Sequence, residues 1–249
     1  MKKFALAAAA IALTSSPAFA GGVVGWTATD GFSAVPIAKG TTILDSRLYM
    51  EVDKNLNTIA VPTVHLLEGA GEGVELGIGA QTANAFGAAG LSQLSSLYPW
   101  LRASIPAISS DAIKFGYMAG VFMLNAADGK SQTLTPGLSL LADIPTGGST
   151  LGINLGYKRD YAQGVEWGTA GSQYASLNFN ETWSAGGFNF YSEVFTDYNV
   201  SNSDFAVSGA RLTVGFPIND KFAVDVNPAV LFRGGQTIFQ PNFGFAITW

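Results

Sequence analysis

The chain has 249 residues, of which 48% are hydrophobic, 12% charged and 12% aromatic, with thirty glycines, no cysteine and a formal net charge of −5; its mean hydropathy is +0.26. Ordinary soluble domains carry roughly 25% charged residues, so this composition excludes a disordered polyelectrolyte and argues against a cytosolic enzyme. Thirteen basic residues against eighteen acidic ones, never more than two basic residues together, offer no footprint for nucleic acid, and without cysteine there is neither a disulfide framework nor a thiolate metal site.

In chain order, Lys2 and Lys3, the apolar run Phe4 to Leu13 and the Ala18-Phe19-Ala20 site before Gly21-Gly22 predict a secretory signal peptide over residues 1–20, cleaved after Ala20. The apolar run is far shorter than the roughly twenty residues of a spanning helix. Residues 21–40 read as a periplasmic lead-in or partial plug. From residue 41 onward no amphipathic helical period is sustained. What recurs is period-two alternation in segments of ten to thirteen residues, divided by Gly, Pro, Asn, Asp and Ser clusters.

Leu44, Leu48, Met50 and Val52 alternate with Asp45, Arg47 and Glu51. Asn57 to Leu67 follows, interrupted by Pro62, which in a strand implies a bulge or an edge. Val74, Leu76, Ile78 and Ala80 oppose Glu75, Gly77, Gly79 and Gln81. Leu97 to Ile105 reads as a strand with Arg102 inward, although Leu94 to Leu101 also suits a short loop helix, leaving residues 86–96 open between loop, strand and helix. Further on, Lys114, Asp143, Lys158, Glu193, Asp197, Arg211, Asp225 and Arg233 each fall on the face opposite large apolar residues. From Ile238 to Trp249 the odd positions are bulky and the even ones polar or small.

About twelve strands result, and nearly all have an apolar face too large for one sandwich core. The predicted fold is all-β: a transmembrane antiparallel up-and-down β-barrel over residues 41–249, greasy outside and wet inside. Only closure suits hydrocarbon, where each unpaired backbone amide costs several kcal/mol. With an even strand count both chain ends lie on the periplasmic side, where the links are mostly short. A radius of roughly 12 Å leaves space for a narrow channel.

The candidate lumen-lining residues are therefore Asp45, Arg47, Glu51, Glu75, Arg102, Lys114, Asp143, Lys158, Glu193, Asp197, Arg211, Asp225 and Arg233, seven acids and six bases. They serve either as a solute path or as an ion-pair network bracing the barrel, and the cost of burying an unpaired charge favours bracing for most of them. His65 is the single histidine; it lacks a G-x-S-x-G elbow, so no catalytic residue is assigned. No metal or cofactor is expected, because Gly69 to Gly73 and Gly77 to Gly79 complete no nucleotide motif. Trp26, Trp100, Trp167 and Trp183 are candidates for interfacial girdles, and Glu181, an acid on an apolar face, is expected at the membrane border.

Phe243, Phe245, Ile247 and the terminal Trp249 resemble the C-terminal strand signature of bacterial outer-membrane proteins, which implies reading by the barrel-assembly machinery and an outer-membrane location in a Gram-negative bacterium. More loosely, Ser192 to Phe195, Gly209, Pro217 to Asp220 and Ala223 to Asp225 resemble the last strands of the transporter-like MetA pathway of phenol degradation family. That resemblance implies passage of small, often hydrophobic, solutes. The expected function is a non-enzymatic outer-membrane channel, monomeric or weakly oligomeric, with membrane lipids and small solutes as partners. The alternatives are a lipid hydrolase or protease using His65, and a closed structural or adhesive barrel.

Overall fold

The computed structural model describes residues 32–52, 58–86, 92–125, 132–162 and 172–249. Alternation gives each strand a large apolar face and a small or polar one, and closing the sheet on itself lets every strand stay paired while the first face turns out. Fifteen strand segments form a single antiparallel sheet: β1 (Thr42–Val52), β2 (Thr58–Gly71), β3 (Val74–Phe86), β4 (Ser92–Ser104), β5 (Lys114–Asn125), β6 (Gln132–Pro145), β7 (Ser149–Arg159), β8 (Tyr161–Ala162), β9 (Gln173–Ala185), β10 (Phe188–Asn199), β11 (Asp204–Pro217), β12 (Phe222–Val226), β13 (Ala229–Arg233), β14 (Gln236–Gln240) and β15 (Asn242–Thr248). The pairs β7/β8, β12/β13 and β14/β15 are each one wall strand broken at a point, so the wall has twelve strands, as the alternation predicts.

The last strand closes on the first. Ile43 pairs with Thr248 and Tyr49 with Asn242, while Thr42 and Trp249 exchange backbone hydrogen bonds of 2.9 and 3.0 Å. Following the register once around returns to β1 about fourteen residues displaced, which for twelve strands gives a tilt of about 40° and a radius of roughly 12 Å.

Prolines mark where the ladder is interrupted, because each lacks the N–H that a neighbour needs. Pro62 is paired with Leu48 of β1, but the ladder to β3 skips from Ala60 to Thr63. Pro99 likewise sits where the β4–β5 ladder skips from Leu97 to Trp100. Pro228 separates β12 from β13 and Pro241 separates β14 from β15, each still lending its carbonyl, to Leu212 and to Met50. Neither Pro62 nor Pro99 makes an edge. The helix weighed for Leu94 to Leu101 is strand β4; the described non-strand turn nearby is a 3-10 turn at Pro106–Ile108. Residues 87–91 lie outside the described residues.

Large side chains cover the outer wall, with Leu140, Leu155, Phe179, Val194, Phe232 and Phe243 all exposed. The core lies inside the cylinder. One apolar cluster joins Phe32, Ala34 and Ile37 to Ile43, Leu67, Tyr98, Trp100, Met118, Phe122, Leu141 and Ala246, and a smaller one gathers Phe195, Ala229, Leu231 and Ile238 of β10, β13 and β14.

Candidate functional site

Charge on the inward faces is buried and paired. Arg47 bridges two carboxylates, with its Nε donating to Asp45 at 2.9 Å and its Nη1 to Asp225 at 3.0 Å. Arg102 pairs with Glu75, Lys158 with Asp197 at 2.7 Å, Arg211 with Glu193 at 2.8 Å, and Arg233 with Glu51 at 2.7 Å. Neutral groups complete the shells: Tyr191 Oη and Asn178 Nδ2 donate to Glu193, Ser176 to Asp197, and Gln240 Nε2 to Glu51. Lys114 differs. It sits at the turn end of β5 and meets Asp111 at 3.3 Å on an exposed surface.

Register places some partners directly opposite on neighbouring strands, Glu193 with Arg211, Glu75 with Arg102 and Asp45 with His65, whereas Arg47 to Asp225, Lys158 to Asp197 and Arg233 to Glu51 each reach across one intervening strand. His65 Nδ1 lies 2.8 Å from Asp45 and its Nε2 lies 2.6 Å from Tyr98 Oη. The catalytic alternative needs a free nucleophile at Nε2. That position is taken by a tyrosine hydroxyl, and His65 is 0% exposed, so Asp45, His65 and Tyr98 form a buried hydrogen-bonded chain that runs on through Arg47 to Asp225.

Residues 32–41 occupy the interior at the rim where the chain ends meet, following the wall from β1 round to β7 as a strap. Gly40 N donates to Gly69 O at 2.8 Å and Gly69 N to Thr41 O at 2.9 Å. Beyond that point the strap is held by side chains of the wall. Ile37 N donates to Glu75 at 3.2 Å, Ala34 N and Ser33 Oγ donate to Asp143 at 2.9 and 2.6 Å, Arg102 donates to Ser33 O at 3.3 Å, and Asn154 Nδ2 donates to Phe32 O at 2.9 Å. The wall is shaped to receive it: a Cβ at Gly69 would run into the Ala38 carbonyl, and one at Gly116 would lie 2.6 Å from Ala34 O. Asp143, one of the predicted lumen acids, is thus an anchor for the strap's backbone.

Beneath the strap lies a ladder of rings. Tyr98 stacks on Trp100 and on Phe122, with centroids 6.1 and 5.6 Å apart, and Trp100 Nε1 donates to Glu75 at 3.3 Å. Gly77 and Gly79 are where these rings lie flat on the neighbouring strand, since a Cβ at Gly77 would strike Trp100 and one at Gly79 would strike Tyr98. Trp100 is therefore an interior residue, 4% exposed, and not a girdle residue. Trp183 does face out, stacked on Phe190 at 5.2 Å, whereas Trp26 and Trp167 lie outside the described residues. The interior aromatics escaped the sequence reading, although Arg102 inward on β4 implies Trp100 and Tyr98 inward too, because a strand's faces repeat every second residue.

A narrow channel is not what the described side chains leave. Asp45, Glu75, Arg102, Asn154, Asn178, Glu193, Arg211, Asn227 and Gln240, drawn from strands all around the wall, are each at most 3% exposed. A continuous water path past them would leave their side chains accessible.

No family model and no curated protein matches the chain, so no sequence match accompanies the likeness to the MetA pathway family. Solved structures do match. The NanC porin superposes with a TM-score of 0.60 at 12% identity, over 82% of this chain and 98% of that one. The KdgM porin gives 0.54 at 13% identity with the same coverage, and the COG4313 outer membrane channel from Pseudomonas putida F1 gives 0.62 at 9% over 87% and 98%. The fold is that of an outer-membrane β-barrel. At these identities the likeness is one of architecture, so what the barrel does has to come from its own interior.

Proposed function

We propose that this barrel is an outer-membrane channel for passive passage of small solutes, hydrophobic ones among them, closed in this conformation by the strap of residues 32–41. The observation that carries the reading is how the strap is held. Beyond Gly40 its backbone is bonded by wall side chains and not by a strand ladder, so it can leave while the twelve-strand wall keeps every pairing. Withdrawal uncovers Phe122, Tyr98 and Trp100 beside the charged pairs, a surface with both apolar and polar contacts for a solute. That the matching structures are named porins and a channel accords with this reading.

Uptake into proteoliposomes tests it. Asp143→Ala removes the two hydrogen bonds from Ser33 and Ala34, each worth about 1.5–3 kcal/mol when the acceptor is charged. It is expected to raise the flux of small sugars and aromatic compounds above wild type, with the folded barrel still migrating as such on unheated gels. Equal flux through the two proteins, both folded, contradicts the reading. The hydrolase and protease alternative gains nothing from His65, whose two ring nitrogens are both engaged and out of reach of water.

A further inference from the structure

The wall grips the strap by its main chain. Asn154 Nδ2 and Arg102 Nη1 donate to the carbonyls of Phe32 and Ser33 at 2.9 and 3.3 Å, while Asp143 and Glu75 accept from the amides of Ala34 and Ile37 at 2.9 and 3.2 Å. Of the two residues between, Val35 gives its amide hydrogen to Ser33 Oγ at 3.0 Å, and Pro36 has none to give. Two donors and two carboxylates, one each on β3, β4, β6 and β7, thus match the carbonyls and amides of a single short stretch of chain, residues 32–37. Side-chain pockets accompany them. Phe32, Ala34 and Ile37 are buried in the cluster that holds Trp100, Met118 and Leu141, with the Arg102 guanidinium 6.0 Å from the centre of the Phe32 ring. Ala34 is 0% exposed and its main chain lies against Gly116, so its position has room for a small side chain only.

Withdrawal of the strap strips both kinds of contact at once. The hydrogen bonds that Asp143 accepts come from Ser33 and Ala34, and a carboxylate in apolar surroundings without donors is costly. Water or a sugar restores hydrogen bonds but leaves the apolar hollows beside Trp100, Met118 and Leu141 unfilled. An apolar solute fills the hollows and bonds nothing. A peptide does both.

We propose that the solute taken by this seat is a short peptide, laid on the wall in the strap's place, with aromatic, small and apolar side chains at the positions of Phe32, Ala34 and Ile37. The inference rests on the channel reading above and narrows its solutes. The strap is then a tethered copy of its own ligand. Joined to β1 at Thr42, it competes for the seat at an effective concentration of about a millimolar, so an outside peptide enters when it is abundant or when the strap is lifted.

Gly69→Ala lifts the strap by a clash at Ala38 and Lys39 that touches none of the four gripping side chains. In a planar bilayer, the end-capped peptide of residues 32–37 is expected to block the current through the full-length Gly69→Ala barrel below about a millimolar. The same peptide with Ala34→Phe is expected to need at least about tenfold more, because the seat is already filled at that point. A conducting barrel that the two peptides block equally, or that neither blocks, overturns the peptide assignment and leaves the channel standing. A folded Gly69→Ala barrel without current overturns the channel reading and the assignment with it. The wild-type barrel gives a readout that needs neither the variant nor a current: the peptide with a benzophenone in place of the Phe32 ring, supplied at several millimolar, is expected to photolabel β4 or β7 around Arg102 and Asn154. Label elsewhere on the barrel, or no label, overturns the proposal.

Discussion

Arg102 and Glu75 show what an interior built of charge demands of each residue. Both side chains are fully buried, and Glu75 also accepts from Trp100 Nε1 and from the backbone of Ile37, so its carboxylate joins wall, aromatic ladder and strap. Removing one partner of a buried pair leaves the other charge unsatisfied, at a cost of roughly 3–5 kcal/mol. Arg102→Ala is therefore expected to lower the unfolding free energy of the micelle-bound barrel by that much, read as a lower urea midpoint at unchanged slope, and the double change Arg102→Met with Glu75→Leu to recover part of the loss. An unchanged midpoint in the single variant contradicts the pairing. The facing of these charges is legible in the sequence because parity alone decides it: Asp45, Arg47 and Glu51 alternate with leucines and a methionine, and the structure buries all three. The interior apolar residues are less legible. Ile43, Tyr49, Leu67 and Tyr98 are as large as the lipid-facing residues, and what they fill is set by strands far apart in the chain.

At the scale of elements, the strap depends on a seat made by distant residues: Gly69 on β2, Gly116 on β5, Asp143 on β6 and Asn154 on β7. Nothing local to residues 32–41 announces those partners, so the segment's sequence suggests either a lead-in or a plug without saying which side chains hold it. Gly69 is the sharpest probe, since the atoms that an added Cβ would meet are the Ala38 carbonyl and the Lys39 Cα, all in the strap. Gly69→Ala is expected to lift residues 38–40 from the wall and raise solute flux, with strand content by circular dichroism unchanged. Flux at the wild-type level in a folded Gly69→Ala barrel counts against the seat. The prolines illustrate the opposite kind of legibility. Pro62 correctly signals a break, but an edge and a half-broken ladder look alike in a single sequence, and only the pairing of Pro62 with Leu48 on one side tells them apart.

The whole molecule is organised by closure. Twelve tilted strands enclose an interior that the strap and the aromatic ladder of β4 and β5 fill on the β1 to β7 side. Closure also depends on the C-terminal strand. Phe243, Phe245 and Trp249 expose their rings on the outside, while the backbone of Trp249 holds Thr42. If that strand is read by the assembly machinery, Trp249→Ala is expected to reduce the heat-modifiable barrel in outer-membrane fractions several-fold, yet to fold normally into detergent; equal amounts in the membrane contradict that role. The central claim concerns the strap, and a reversible lock tests it most directly. Ser33 Oγ lies 2.6 Å from Asp143, and the chain has no other cysteine to interfere. In a Ser33→Cys, Asp143→Cys barrel, single-channel conductance in a planar bilayer is predicted to be absent while the disulfide is formed and to appear on reduction. Conductance that is the same in the oxidised and reduced protein would contradict the account.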